Sequence, residues 1–269
     1  MKAAVITAIL AASLATAEVT WTFQKFQNGT EVPFSAGPQT RFQSQAMVKV
    51  GEIRKRNRLN GRAAAATVTS SNWCGAALTG TGFTSVTGTW TVPTITLRSG
   101  QSAASDPALA QWVGIDGFSN SALIQGGTLS QLVGGRQENF AWTEMLPASL
   151  REVALTVDTG DRITTTVTMT STTSGTVTID NVTRGTSIVG TVSGGTRLSG
   201  TSAEWILEDF ESGSSLIAFA AFPTSTFTGS AIRGGTSVSP SASTLIDIVQ
   251  NSELCSATLS GTTVSVSDS

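Results

Sequence analysis

The sequence lacks histidine and tyrosine altogether, and only 13% of its 269 residues are charged, against an ordinary share of about 25%. The absence of histidine excludes serine and cysteine hydrolases that need an imidazole base, and it excludes zinc sites built on imidazole ligands. No phosphate-cradling motif is present, so we expect neither a metal nor an organic cofactor. Any hydrolytic chemistry must therefore depend on carboxylates, amides and hydroxyls.

Lysine is missing from Thr67 onward, where seven arginines are outnumbered by fifteen acidic residues. This part of the chain carries a net charge of −8, whereas the first 66 residues hold nine of the 16 basic residues and three of the 18 acidic ones. Nucleic acids and most membrane surfaces are anionic, so we expect the acidic part to bind neither.

Residues 1–17 are typical of a secretory signal peptide. Met1-Lys2 forms the charged start, an apolar run extends from Ala3 to Leu14, and Ala15-Thr16-Ala17 supplies small residues for cleavage. The run is too short to span a membrane. We therefore predict a secreted, extracellular protein.

Residues 18–66 are basic and differ in composition from the remainder, and their dibasic Lys55-Arg56 suits a processing protease. We predict a pro-segment that acts as the protein's own inhibitor and docks electrostatically on the acidic body. A disordered linker is the alternative interpretation.

Residues 67–269 predict a single all-β domain, expected to be monomeric. Short alternating runs rich in threonine and valine are separated by glycine and serine turns, a pattern that favours pleated, half-buried strands. Five of these runs are 85–92, 153–157, 163–170, 175–179 and 187–192. No amphipathic helix is evident, and we predict an antiparallel two-sheet β-sandwich.

Cys74 and Cys255 are the only cysteines. In an exported protein two cysteines usually pair, and a disulfide here would tie the first strand of the domain to the last. Two buried thiols are the alternative, since Cys74 lacks the imidazole partner of a nucleophile. Asn181-Val182-Thr183 is a glycosylation sequon in a predicted turn.

Carboxylates and aromatic residues gather in three segments, 111–127, 141–147 and 204–211. If these are strands, alternation places Trp112 with Asp116 on one face and Trp142 with Glu144 on one face. Glu208 then shares its face with apolar residues two positions away on either side. Such a carboxyl group is a candidate for a raised pKa, which suits a general acid or base. Exposed acids beside aromatic side chains on a sandwich surface are the alternative.

Five short blocks follow one another in a specific order: 72–76 (Asn-Trp-Cys-Gly-Ala), 112–117 (Trp-Val-Gly-Ile-Asp-Gly), 124–127 (Ile-Gln-Gly-Gly), 141–144 (Ala-Trp-Thr-Glu) and 206–211 (Ile-Leu-Glu-Asp-Phe-Glu). In these blocks the chain resembles the glutamic peptidases of filamentous fungi, the eqolisins, over residues 67–266. That family has a Glu/Gln catalytic dyad on a concave sandwich of two antiparallel sheets. Its members are secreted as proenzymes and cut peptide bonds at acid pH.

The resemblance places the catalytic dyad at Gln125 and Glu208. It implies that Glu208 is the general base for a bound water and that the Gln125 amide stabilises the oxyanion. It also implies that protein or peptide chains are the substrates. Further residues match positions that line or support the cleft in the family: Trp73, Trp112, Asp116, Trp142, Glu144 and Glu211.

Two other functions fit a cleft of this composition. A glycoside hydrolase would need two facing acids, for example Glu144 and Glu208. A non-catalytic, lectin-like module would use Trp112 and Trp142 as platforms for sugar rings.

Overall fold

The computed structural model describes residues 19–34, 42–50, 54–55, 66–213 and 215–269. The predicted signal peptide lies outside these residues, and so does most of the stretch with the predicted processing site. The described part of the chain contains no α-helix and no helix suited to crossing a bilayer. Its strands are β1 (Thr20–Gln27), β2 (Thr30–Val32), β3 (Phe42–Gln43), β4 (Arg54–Lys55), β5 (Ala66–Ser70), β6 (Trp73–Thr79), β7 (Phe83–Thr91), β8 (Ala108–Ile115), β9 (Ile124–Val133), β10 (Arg136–Met145), β11 (Arg151–Val153), β12 (Arg162–Ser171), β13 (Ser174–Asn181), β14 (Thr186–Ser193), β15 (Ser202–Glu208), β16 (Glu211–Ser212), β17 (Ser215–Leu216), β18 (Ser225–Arg233), β19 (Thr236–Val238), β20 (Thr244–Val249), β21 (Glu253–Ser260) and β22 (Thr263–Asp268), with 3-10 turns at Ala103–Ser105 and Pro240–Ala242.

The strands form two layers, as predicted. The first layer has the order β11-β10-β9-β8-β15-β6-β20-β5, and the second has the order β22-β18-β7-β12-β13-β14. The pairings β20–β21 and β21–β22 join the layers into one continuous ladder. All these pairs are antiparallel except β5–β20. The fold is thus an all-β antiparallel sandwich.

Alternating side chains of the first layer enter two different apolar clusters. In β15, Trp205 and Leu207 belong to the main core between the layers, whereas Ile206 belongs to a second cluster on the outer face. In β10, Met145 points into the core and Trp142 points outward. This outer face of the first layer is called the cleft face below.

Most of the predicted strands lie within one or two residues of observed ones, namely β7, β12, β13 and β14. The prediction for 153–157 is wrong, because β11 ends at Val153 and the chain then leaves the sheet. Leu155 and Val157 are buried there without a strand ladder. The alternating apolar residues of 153–157 therefore belong to a buried connecting segment and not to a strand.

The predicted pro-segment contains ordered structure that composition does not reveal. Residues 20–32 form a hairpin, β1–β2, that pairs with β14 at the edge of the second layer. Residues 42–50, called the strap below, lie against the cleft face of the first layer. The strap begins with β3, which joins β16 and β17 in a small separate sheet.

Cys74 and Cys255 form a disulfide, the first of the two alternatives above. The bond links β6 of the first layer to β21, and the two residues are 181 positions apart. These are the second and the second-last strands of residues 67–269, not the first and the last as expected. The sequon residue Asn181 is fully buried, and its Nδ2 donates to Thr156 O at 3.0 Å and to Asp161 Oδ2 at 2.7 Å. A glycan would replace one of the two hydrogens of that nitrogen, so its attachment would break at least one of these bonds and bring the buried side chain to the surface.

Candidate active site

Glu208 ends β15 and is fully buried on the cleft face. The Trp112 indole Nε1 donates to Glu208 Oε2 at 2.8 Å. Two groups of the strap also donate to this carboxylate: the Ser44 hydroxyl to Oε2, and the Gln45 backbone N–H to Oε1 at 3.2 Å. Asn72 adds a long contact of 3.5 Å from Nδ2 to Oε1.

Gln125 lies in β9, directly opposite Glu144 of β10 and Gly114 of β8. Its side-chain Nε2 donates to Glu144 Oε2 at 2.7 Å, while its Oε1 has no hydrogen-bond partner among the described residues. At Gly114 an added Cβ would lie 3.1 Å from the Gln125 Cβ and 3.0 Å from the Trp112 ring. The glycine therefore leaves room for the Gln125 side chain and the Trp112 ring, which both lie against it.

Glu144 connects the two predicted dyad residues through the strap. Its Oε1 accepts from the Ser44 backbone N–H at 3.3 Å, and the hydroxyl of that same serine donates to Glu208. Ser44 thus contacts both Glu144 and Glu208, and Gln125 is connected to it through Glu144.

Burial dominates the electrostatics of this cluster. It raises the pKa of Glu208 from 4.5 to about 7, although the Ser44, Gln45 and Trp112 hydrogen bonds act in the opposite direction. Burial also raises the pKa of Glu144 well above its ordinary value, and the negative charge of Glu208 adds to this effect. Each carboxylate therefore makes ionisation of the other more costly.

The tryptophans form the apolar part of the cleft face. Trp73 and Trp112 meet edge to face with ring centroids 4.8 Å apart, and Trp73 Nε1 donates to Gln45 O of the strap at 2.9 Å. Trp142 is fully buried in the same cluster, and its indole N–H has no partner among the described residues. The first two hold groups in place, whereas Trp142 contributes packing alone.

Asp116 does not share the cleft face with Trp112, contrary to the alternation argument. The strand ends at Ile115, and Asp116 adopts a left-handed conformation with φ of 72°. Its carboxylate accepts hydrogen bonds from the backbone N–H groups of 199–201 and from the Asn120 amide. Burial acts to raise the pKa of Asp116, but these hydrogen bonds outweigh it and the pKa is lowered. Asp116 therefore holds residues 199–201 and Asn120 in place and does not take part in the cleft face.

Glu211 lies at the edge of the site, where it is partly buried. Its Oε2 accepts from Gln45 Nε2 at 3.1 Å, and its strand β16 pairs with β3 of the strap. Glu211 thus contacts the strap without reaching the dyad. No three acidic, cysteine or histidine side chains of the described residues are grouped so that they could hold a metal ion.

Residues 71–268 match the Peptidase A4 family. The chain is 40% identical over 217 residues to Aspergillopepsin-2 of Aspergillus niger, which covers 73% of this chain and 77% of that protein. The chain belongs to the Peptidase A4 family. It is therefore a glutamic-type endopeptidase, a hydrolase whose substrates are peptide chains.

Other glutamic peptidases support this membership. Scytalidopepsin B of Scytalidium lignicola is 35% identical over 210 residues, covering 73% of this chain and 77% of that one. The crystal structure of scytalido-glutamic peptidase with a transition state analog inhibitor has a TM-score of 0.67 and 34% identity, covering 74% of this chain and 98% of that one. The structure of aspergilloglutamic peptidase from Aspergillus niger has a TM-score of 0.59 and 40% identity, covering 61% of this chain and all of that one.

Two residues that contact Glu208 carry no signal in the sequence. Ser44 and Gln45 lie more than 160 positions before Glu208 in the chain. Asp209, next to Glu208, is buried and accepts from Gln250 Nε2 at 2.7 Å. Burial raises the pKa of Asp209 to about 8. The Asp209 position was visible as part of the 206–211 block, but its role in a buried contact was not.

Proposed function

We propose that this protein is a secreted acid endopeptidase that uses Gln125 and Glu208 as its catalytic dyad and is held inactive by its own pro-segment. The observation that supports the proposal most strongly is that Ser44 of the strap contacts both Glu208 and Glu144, and that Glu144 in turn accepts from the Gln125 amide. A segment that covers the acidic groups of a peptidase excludes both water and substrate from them.

In the proposed mechanism the strap leaves and a water molecule takes the place of the Ser44 hydroxyl beside Glu208. Glu208 removes a proton from this water as the hydroxide attacks the carbonyl carbon of the peptide bond. One N–H of Gln125 Nε2 is held by Glu144, and the second N–H donates to the oxyanion that forms. Glu208 then returns its proton to the leaving amine, and the C–N bond breaks.

The pKa of about 7 belongs to Glu208 beneath the strap. Burial is its largest cause, and departure of the strap brings water to the carboxylate. Hydration favours the ionised form, so we expect Glu208 to serve as a base at lower pH once the cleft is open. Glu144 acts as a positioning residue, because it contacts the Gln125 amide rather than the attacking water.

The strap is arranged as an inhibitor and not as a substrate. It presents hydrogen-bond donors to the two carboxylates, namely the backbone N–H groups of Ser44 and Gln45 and the Ser44 hydroxyl. Phe42 adds apolar contact, with its ring 5.3 Å from that of Phe210 and 6.2 Å from that of Phe140. The hydroxyl fills the position of the attacking water, so cleavage of the strap itself is suppressed.

Replacing Ser44 by alanine in the full chain is expected to speed acid activation several-fold. The change removes a buried hydrogen bond to the neutral Glu208 carboxyl group, which contributes about 0.5–1.5 kcal/mol, and leaves room for water beside Glu208. The rate at which the purified chain gains activity on a denatured protein at about pH 4 measures the effect. Ser252→Ala, at an exposed serine outside the site, is the control. Equal rates for Ser44→Ala and wild type would contradict the inhibitory role of the hydroxyl.

The dyad is tested by Gln125→Ala assayed on a denatured protein and on a polysaccharide. We expect wild type to cut only the protein, and the variant to lose about 10²–10³-fold in kcat because an oxyanion donor is missing. Gln131→Ala, six residues further along the same strand, where the amide contacts the Asp106 carbonyl instead of Glu144, should keep the wild-type rate. A two-carboxylate glycoside hydrolase would instead cut the polysaccharide and depend on Glu144 and Glu208. Full activity of Gln125→Ala on protein would overturn the proposed dyad.

A further inference from the structure

We infer that the free edge of β14 is a docking site for the β1–β2 hairpin of the pro-segment, separate from the cleft, and that this site retains the strap after the chain is cut between strap and body. The inference rests on the proposed inhibitory role of the strap. It adds a second step to activation, which is release of the hairpin.

The hairpin extends the second layer by strand addition. β1 pairs antiparallel with β14 along its whole length, from Thr20 opposite Ser193 to Gln27 opposite Thr186. β2 folds back on β1 through a tight turn at Asn28-Gly29, where both residues have positive φ. Asn-Gly is the favoured pair for a two-residue hairpin turn. Without the hairpin, the outer backbone groups of β14 would be an unpaired sheet edge.

Aromatic side chains of the hairpin, together with Phe34 just after it, make apolar contact with the body. Trp21 and Phe23 stack with centroids 5.7 Å apart, and Phe34 lies 5.4 Å from Phe23. All three pack against the main core of the body. Gly190 of β14 makes this possible, because an added Cβ would lie 2.8 Å from the Phe23 ring and 3.1 Å from the Trp21 ring.

Polar contacts make the docking specific to this edge. The Asn28 backbone N–H donates to Gly185 O at 2.7 Å, in the turn that precedes β14. Lys25 Nζ donates to Ala154 O at 2.8 Å, and Gln27 Nε2 donates to Arg184 O at 3.2 Å. These acceptors lie outside β14, so the body recognises more of the hairpin than one extended strand. The ion pairs that the structure gives for the described residues lie within the body.

Hairpin and strap attach to different parts of the body. The hairpin packs on the core between the layers, whereas Phe42 and Met47 of the strap pack on the cleft cluster. Seven residues, 35–41, connect the two. A docked hairpin therefore keeps the strap at a high effective concentration near the cleft, and rebinding is intramolecular. A cut within 56–65 leaves that connection intact.

Retention can be measured without catalysis. The full chain carries Glu208→Gln and a recognition sequence for a specific protease within 56–65, is cut there at acid pH, and is analysed by size exclusion and native mass spectrometry. We expect the N-terminal fragment to remain with the body. Phe23→Ala should speed dissociation of the fragment at least tenfold. Phe26→Ala removes a phenylalanine on the other face of β1 and is the control, and its fragment should dissociate more slowly than that of Phe23→Ala. A fragment that leaves the parent body as fast as it leaves the Phe23→Ala body would overturn the inference.

A competition experiment covers the case in which Phe23→Ala does not fold. A synthetic peptide of residues 19–34 in excess should displace the fragment from the cut parent protein, and the same peptide with Phe23→Ala should not. Equal displacement by both peptides, or by neither, would contradict docking through the hairpin.

A last arm separates this inference from the proposed function. The same cut chain with Glu208 intact is assayed on a denatured protein. A retained fragment with no activity supports both proposals. A retained fragment with full activity supports docking but overturns the inhibitory role of the strap, and early loss of the fragment overturns docking alone.

Discussion

The full-length protein is expected to be most stable near pH 4 and to unfold as the pH is raised from about 4 to about 8. Thermal unfolding followed by circular dichroism at intervals across this range would show a melting temperature that falls steadily, with little native structure at ambient temperature near pH 8. A melting temperature that is equal or higher at pH 8 would contradict the expectation.

The reason is that the fold holds neutral carboxyl groups. Glu208 and Asp209 have pKa values of about 7 and about 8, and burial raises the pKa of Glu144 and Glu204 well above the ordinary value. A raised pKa means that the folded state binds the proton more tightly than the unfolded chain does. The resulting stability is fully present below about pH 4 and is lost as the pH rises through each folded value. Above pH 7, Glu208 alone costs roughly 3 kcal/mol, against about 5–15 kcal/mol for an ordinary domain.

Two carboxylates stabilise the fold as the pH rises, but they do not decide the pH at which it unfolds. Burial tends to raise the pKa of both Asp116 and Asp161, yet hydrogen bonds outweigh it and both values are lowered. Their stability is present above about pH 4 and is lost as the pH falls through the folded values. They therefore place the optimum near pH 4 rather than at the acid extreme.

Glu204 offers the cleanest test of the neutral-carboxyl argument, because it lies outside the dyad. It is fully buried in β15, and burial and the nearby Asp116 charge raise its pKa. The folded state requires a neutral Glu204, and the glutamine of Glu204→Gln is neutral at every pH. We therefore expect the melting temperature to rise by roughly 5 °C at pH 7 and to change little at pH 4. Glu138→Gln, at an exposed site, should change neither.

Alternation in the sequence correctly placed Glu208 on a face with apolar neighbours, because β15 is a regular strand buried on both faces; its place in the proposed dyad comes from the family resemblance. Ile206 and Trp205 do point to opposite sides, and Glu208 follows the side of Ile206. The same argument failed for Asp116, because this residue follows the strand in a left-handed conformation and its side chain no longer alternates with those of β8. It failed again after Val153, where burial continues while the ladder stops.

The predicted pro-segment shows what composition alone does not reveal. Its basic charge marked it as distinct from the body, but its hairpin depends on two features that charge does not report: the Asn28-Gly29 turn and the alternating Trp21 and Phe23. The contacts of Ser44 with the dyad depend on tertiary placement alone, and no local pattern in the sequence predicts them.

Glu208→Gln is expected to abolish peptide-bond cleavage. Glutamine keeps the size of the side chain but cannot take a proton from water at acid pH, and loss of a general base lowers the rate about 10²–10⁴-fold. In the open cleft the donors of the strap are gone, so the single glutamine oxygen can still accept from the Trp112 indole while the new amide NH2 group faces water. Loss of activity with an unchanged fold therefore reports the missing base.

The most direct measurement compares wild type, Glu208→Gln and the exposed control Glu138→Gln on a denatured protein substrate below about pH 4. All three carry the same engineered cleavage site within 56–65 and are assayed after the pro-segment has been removed. The dyad account predicts cleavage by wild type and by Glu138→Gln at similar rates, and none above background by Glu208→Gln. Cleavage by Glu208→Gln at the wild-type rate would contradict it.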